Sequence, residues 1–227
     1  MSRPNVNVGS LDDRPRPDSE YRYGIFIRPP AEVALPTLEL MRTVRDLFGF
    51  HAAMAYPPHI TLIGSIVLDG TEDALIRTID GALANRRAIP VHGCGLNAQI
   101  GAAVGIDYNC LPNGELNTQL ADLYDDLRET TQALRGYEPT DRKADARRNK
   151  EAREHFRAHL TVLGHDGIDN SYLRSEARDF LEPLTPTVAA DWTARTITLY
   201  RFWSAAWDDK YWLSQEWLPL RSWTLAE

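Results

Sequence analysis

The chain has 227 residues, of which 43% are hydrophobic and 25% charged, and its formal net charge is −7. That balance fits a soluble globular protein long enough to bury a substantial core. No run of about 18 apolar residues that could span a membrane occurs along the sequence, and the N-terminal stretch lacks the apolar segment of a signal peptide. An acidic chain is also poorly suited to gripping long duplex nucleic acid, where neutralised phosphates supply much of the affinity.

Residues 1–19 are rich in Pro, Asp, Arg, Asn and Ser and read as a tail. Residues 21–28 (YRYGIFIR) read as a first strand, stopped by Pro29-Pro30. Leu38, Met41, Val44, Leu47 and Phe48 recur at helical spacing, which predicts a helix over 35–48 ended by Gly49. A buried strand is expected over 59–67 and a helix over 71–86 with Thr71 as N-cap. Strands follow at 89–93 and 102–109. A long helix over 114–134 is expected to take Asn113 as its cap. Residues 136–157 are polar and highly charged. The remaining expectations are a strand at 159–163, a helix near 170–182 capped by Asn170 or Ser171, and strands near 195–202 and 211–217. Strands and helices interleave in two similar halves, which is an α+β pattern with antiparallel or mixed sheets.

One short pattern occurs twice. His59-Ile60-Thr61-Leu62-Ile63-Gly64 matches His159-Leu160-Thr161-Val162-Leu163-Gly164, both H-x-T-x-x-G. On a strand, residues i and i+2 share a face. His59 and Thr61 therefore share one face and Ile60 and Leu62 the other; His159 and Thr161 repeat the arrangement. The apolar face can pack under helices while the His/Thr face lines a groove. Two imidazoles and two hydroxyls around one small volume suit phosphodiester chemistry, in which one imidazole takes a proton and the other gives one. The threonine hydroxyls can donate to non-bridging phosphate oxygens. Neither a metal nor another cofactor is called for.

The doubled motif, with Tyr56-Pro57-Pro58 before the first copy and a long helix before the second, resembles the 2H phosphoesterase superfamily, including RNA 2′,3′-cyclic phosphodiesterases also known as 2′-5′ RNA ligases. The resemblance covers roughly residues 21–218. It implies a fold of two pseudo-symmetric lobes around a central groove, with His59, Thr61, His159 and Thr161 as the catalytic set. By that similarity His159 is the base and His59 the acid. A cyclic nucleotide or short oligonucleotide is the implied substrate, and a cytoplasmic monomer the simplest form.

Arg157, two residues before His159, would share its face and could meet a phosphate. Residues 141–157 hold seven basic and four acidic side chains, net +3, and read as a charged insert of about 136–157 within a single bilobal domain over 20–227. Tyr23, Tyr56 and Tyr211 are candidates to stack on a base; Phe156, Tyr200 and Trp203 are further aromatic candidates. His165 reads as surface loop, and His51 and His92 show no partner pattern. Cys94 and Cys110 are too far apart for a CxxC unit, and a reduced pair is expected.

Overall fold

The two motif strands lie side by side at the centre of one sheet. They are β2 (Ile60–Leu68) and β7 (His159–Leu163), antiparallel, with Ile60 opposite Leu160. The computed structural model describes residues 21–100, 103–136, 156–168, 170–184, 189–208 and 210–227. The expected tail and nearly all of the charged insert lie outside these residues.

Outward from β2 run β1 (Tyr21–Arg28), β9 (Thr196–Trp203) and β10 (Glu216–Thr224); outward from β7 run β5 (Ala103–Asp107) and β4 (Leu96–Ile100). Every pairing in this path is antiparallel. The short β6 (Arg135–Gly136) joins β2, and β3 (Ile89–Val91) pairs with β8 (Trp192–Ala194) apart from the main sheet. Four α-helices are described: α1 (Ala31–Phe48), α2 (Glu72–Leu83), α3 (Thr118–Thr131) and α4 (Ser171–Leu181). The halves repeat one unit, strand–helix–strand, as β1–α1–β2 and β5–α3–β7. The fold is the expected α+β one, two pseudo-symmetric halves meeting at the Ile60–Leu160 pair, with the sheet antiparallel rather than mixed.

Strand parity sorts the residues. Ile25, Ile27, Ile60, Leu62, Leu160 and Val162 are buried in one cluster with Val33, Leu40 and Val44 of α1, Leu75 and Ile79 of α2, and Leu120, Leu123 and Leu127 of α3. Burying side chains of this size contributes about 1.5–3 kcal/mol each, which fixes the register because a one-residue slip would turn them out. Phe26, Tyr200 and Phe202 form a second cluster with Tyr56, Trp207 and Trp217 packed against it.

Several boundaries differ from expectation. α1 begins at Ala31, four residues earlier than expected, and carries Pro36 in its second turn, where proline's missing N–H removes the i→i−4 bond to the Glu32 carbonyl. α3 begins later than expected because its cap is Asn117, whose side chain accepts from the Leu120 N–H. Asn113 instead accepts from Glu115 in the preceding turn. The expected strand at 211–217 is a 3-10 turn over Tyr211–Leu213 followed by β10. Cys94 and Cys110 are joined by a disulfide, correcting the expectation of a reduced pair. No helix among the described residues is long and apolar enough to cross a membrane.

Candidate active site

His59 immediately precedes β2, and its Nδ1 lies 2.7 Å from the Pro57 carbonyl oxygen. His159 opens β7, and its Nδ1 lies 2.7 Å from the Arg157 carbonyl oxygen. A carbonyl oxygen only accepts, so in each ring Nδ1 carries the proton and donates it. In the neutral imidazole, Nε2 is then the nitrogen with the free lone pair. Both copies of the motif use the backbone two residues upstream to set the same tautomer.

The Ile60–Leu160 pair carries a second consequence. Continued one residue either way, its antiparallel register sets His59 across from Thr161 and Thr61 across from His159. Thr61 and Thr161 both line a cavity of about 290 Å³ together with His59. Its wall also includes Phe26, Tyr56, Phe202, Trp207 and Tyr211, the backbone turn at Ala52-Ala53, and Gly64 and Gly164. Gly164 explains the end of the second motif: a Cβ there would lie 2.7 Å from Ala52 Cβ and 2.8 Å from Ala53 N. At the end of the first motif the chain bulges against β1, and Ser65, on the cavity wall, adopts a left-handed φ of 55°.

The two imidazoles differ in surroundings. Phe26 pairs with Thr61 on the β1 side, and its ring stacks on His59 with centroids 4.1 Å apart. The matching position beside Thr161 is Gly105, where a Cβ would meet His159 Cδ2 at 3.3 Å and the Leu160 carbonyl oxygen at 2.7 Å. Two residue pairs further along, Asp107 lies across from His159. Burial pushes His59 down to about 4, opposed by its bond to Pro57 and assisted by repulsion from a charged His159. Burial also lowers His159, but there the Arg157 carbonyl and the negative charge of Asp107 both oppose it.

The other expected site residues divide. Tyr56 and Tyr211 line the cavity and their hydroxyls meet at 2.8 Å, Tyr56 donating. Burial, with the neighbouring Tyr211 phenol, raises Tyr56 far above the usual phenol range, so it remains a neutral donor. Tyr23 is not a site residue: it is 2% exposed, belongs to the main core and bonds Glu72 at 2.8 Å. The reason is parity, since the groove-facing residues of β1 are Arg22 and Phe26, not Tyr23. Arg157 is exposed, with its Nη1 on the Phe156 carbonyl at 2.7 Å, and is not part of the cavity wall. Phe156 stacks on Tyr124 inside the core. His165, expected on the surface, lines the cavity and stacks on Tyr211 with centroids 5.6 Å apart. His92 does have a partner, Asp191 at 2.6 Å. Arg22, Phe26, Phe202, Trp207 and Gln215 are wall residues that the sequence reading passed over; β1 parity relative to Thr61 was the signal for the first two.

Among the described residues no group of three or more His, Cys, Asp or Glu side chains is arranged to hold a metal ion.

In sequence the chain matches no protein-family model and no curated protein. Solved structures do match. LigT of E. coli complexed with 3′-AMP superposes with a TM-score of 0.53 at 14% identity, covering 92% of this chain and 99% of that one. LigT of E. coli in apo form gives 0.52 at 15% identity over 92% and 100% of the two chains. A structure described as a phosphoesterase gives 0.51 at 14% identity over 91% and 99%. These superpositions establish a shared course of the chain over nearly its whole length: the protein has the LigT-like 2H phosphoesterase fold.

Proposed function

We propose that the protein is a phosphodiesterase that hydrolyses a nucleoside 2′,3′-cyclic phosphate, or a closely related cyclic phosphate, to a monoester by two-histidine acid–base catalysis. The observation that carries the reading is the matched pair of Nδ1-to-carbonyl bonds. Each bond leaves an Nε2 with a free lone pair, one from each half, and the Ile60–Leu160 register sets each imidazole across from the other motif's threonine; His59, Thr61 and Thr161 line the cavity, and His159 stands beside them in the sheet but is not among the residues lining it. E. coli LigT, which shares the fold, was crystallised with 3′-AMP, a product of such a reaction. A cavity of about 290 Å³ is at the lower edge of the range for small-molecule sites and matches a mononucleotide better than a long strand.

In the hydrolytic direction one Nε2 takes a proton from water as the water oxygen bonds to phosphorus. The P–O bond to one ribose oxygen breaks, and the other Nε2–H delivers a proton to that oxygen. Thr61 and Thr161 donate to the non-bridging oxygens as charge builds there. An anionic substrate raises both imidazole pKa values, and the one that protonates first becomes the acid. Asp107 gives that place to His159, while the Phe26-covered His59 stays neutral and serves as base. This order reverses the one implied by the family resemblance.

The test is a panel of phosphate esters followed by phosphorus NMR, with cyclic mononucleotides set against 2′-5′ and 3′-5′ linked oligomers. The reading expects a cyclic phosphate to give one monoester, with loss of turnover in His59→Ala and in His159→Ala. Near-normal activity in both variants on every ester the wild type cleaves would overturn it.

A further inference from the structure

Asp166 joins the end of the second motif to the stretch of chain that leads into the first. Its Oδ2 accepts from two consecutive backbone N–H groups, His51 at 2.5 Å and Ala52 at 2.9 Å, which are 115 and 114 residues away in sequence. Those N–H groups open the 3-10 turn over Ala52–Ala55, where His51 is the cap residue and its side chain makes no cap bond. The first N–H groups of such a turn have no partner within it, so a carboxylate placed there makes charge-assisted bonds that the turn cannot make for itself. The two segments also touch closely, since a Cβ on Gly164 would lie 2.8 Å from Ala53 N. At its other end the turn is tied down by Gln215, whose Nε2 donates to the Ala55 carbonyl at 3.2 Å.

The sheet explains why these segments meet. With Ile60 opposite Leu160, the chain leaving β7 runs back along the chain entering β2. That ladder is short: among the described residues Ile60–Leu160 is the one registered pair between β2 and β7. The halves therefore gain a second fastening point where Asp166 holds the turn. What holds the turn also holds His59, because the turn runs straight into Tyr56-Pro57-Pro58-His59. Two proline rings fix φ there and restrict the residue before each, so a displacement of the turn is passed along the chain and not absorbed. At the far end Tyr56 and His59 line the cavity with ring centroids 5.5 Å apart, and His59 stacks on Phe26.

We propose that Asp166 is a positioning residue: by clamping the Ala52–Ala55 turn to the end of β7, it sets where His59 stands relative to His159 and the two threonines. Asp166 is not among the residues lining the cavity, so it acts through the turn. The effect on turnover rests on the phosphodiesterase reading; the effect on the placement of His59 does not. A reacting group displaced by about 1 Å can cost about 100-fold in rate.

Proton NMR of the full chain reports the placement of His59, because protons over the face of the Phe26 ring are shifted upfield. Comparison with His59→Ala assigns those signals. In Asp166→Ala they should move downfield toward ordinary imidazole positions, and kcat on the cyclic phosphate should fall about 10- to 100-fold. Asp166→Asn, which keeps an oxygen able to accept from both N–H groups, should resemble the wild type. Asp166→Glu keeps the carboxylate but lengthens the clamp by one methylene. It should show a smaller shift and a smaller loss, and it carries the test if the alanine variant does not fold. His59 signals that stay in place in each folded variant of the Ala and Glu pair would overturn the proposal, whatever the change in thermal stability, and leave Asp166 as a turn cap alone. If the signals move as expected while the wild type cleaves no cyclic phosphate, the positioning role stands and the hydrolytic reading falls.

Discussion

Asp107 lies directly across the β5–β7 ladder from His159, and its carboxylate is held in place by Asn97 at 2.9 Å and by the Asn109 backbone N–H at 2.7 Å. Its charge is one of the two influences that keep His159 from falling as far as burial alone would take it. Asp107→Asn removes that charge. The basic limb of the kcat/KM profile, which reports loss of the acid's proton from the free enzyme, should then move to lower pH. The acidic limb, to which His59 contributes most, should move less. A uniform fall in activity with both limbs in place would mean that Asp107 acts only on folding.

The pH dependence of the wild type follows from the same surroundings. His59 is lowered to about 4, and His159 is also below its ordinary value of 6.5. A free enzyme needing one neutral and one protonated imidazole should give a kcat/KM optimum on the acidic side of 6.5. Binding of the phosphate anion raises both groups, so the kcat profile should lie at higher pH than the kcat/KM profile. The limbs belong to the coupled pair, not to either ring alone. A common optimum near 8 in both profiles would contradict the assignment.

Stability carries the same signature with a defined sign. Below 6.5 the unfolded chain protonates the His59 imidazole more readily than the folded chain does. Folding stability is therefore fully present above about 6.5 and falls as pH drops toward 4. A shift of this size corresponds to at most about 3 kcal/mol, less because the ring keeps some contact with water. Denaturant titrations at pH 7 and pH 4.5 should show the loss, and His59→Phe should flatten it. An equal slope in the two proteins would remove His59 as the cause.

Much of this site could be read from the order of residues because it is built on strands. Period two placed His59 with Thr61 and His159 with Thr161, and the apolar residues between them made the faces unambiguous. The same rule, applied to β1, would have removed Tyr23 and introduced Arg22 and Phe26. What it lacked was the pairing of Phe26 with Thr61, a contact between elements that no local pattern encodes. His165 and Tyr211 are less legible still. Each lies in a 3-10 turn, and they meet only because those turns close over the same end of the cavity. The difference between the histidines has a similar origin, since Gly105 and Asp107 act on His159 from a strand more than 50 residues away in sequence.

The single-histidine variants should lose about 10²- to 10⁴-fold in kcat, the range for removing a positioned acid or base. His59→Asn with His159→Asn should lose little more than either alone, because the two rings act on one transition state. Retained thermal unfolding would show that the loss is chemical. Additive losses in the double variant would instead imply that the rings act independently, contrary to a shared phosphodiester between them.

Glycine substitutions separate the geometry of the site from general stability. At Gly105 an added methyl meets the Leu160 carbonyl oxygen at 2.7 Å and the His159 ring at 3.3 Å. The strand backbone cannot retreat without breaking the β5–β7 ladder, so Gly105→Ala should destabilise the protein by about 1–3 kcal/mol. It should also turn the His159 ring away from the groove, lowering kcat in the fraction that remains folded. Gly81 is the contrast. It sits exposed in α2 with nothing within 4 Å of an added Cβ, so Gly81→Ala should stabilise by about 0.5–1 kcal/mol through helix propensity alone. Urea titrations of the two variants, with kcat measured on each, should thus move in opposite directions in stability while only Gly105→Ala alters turnover. If Gly105→Ala leaves both unchanged, the bare side of His159 is not a requirement of the site.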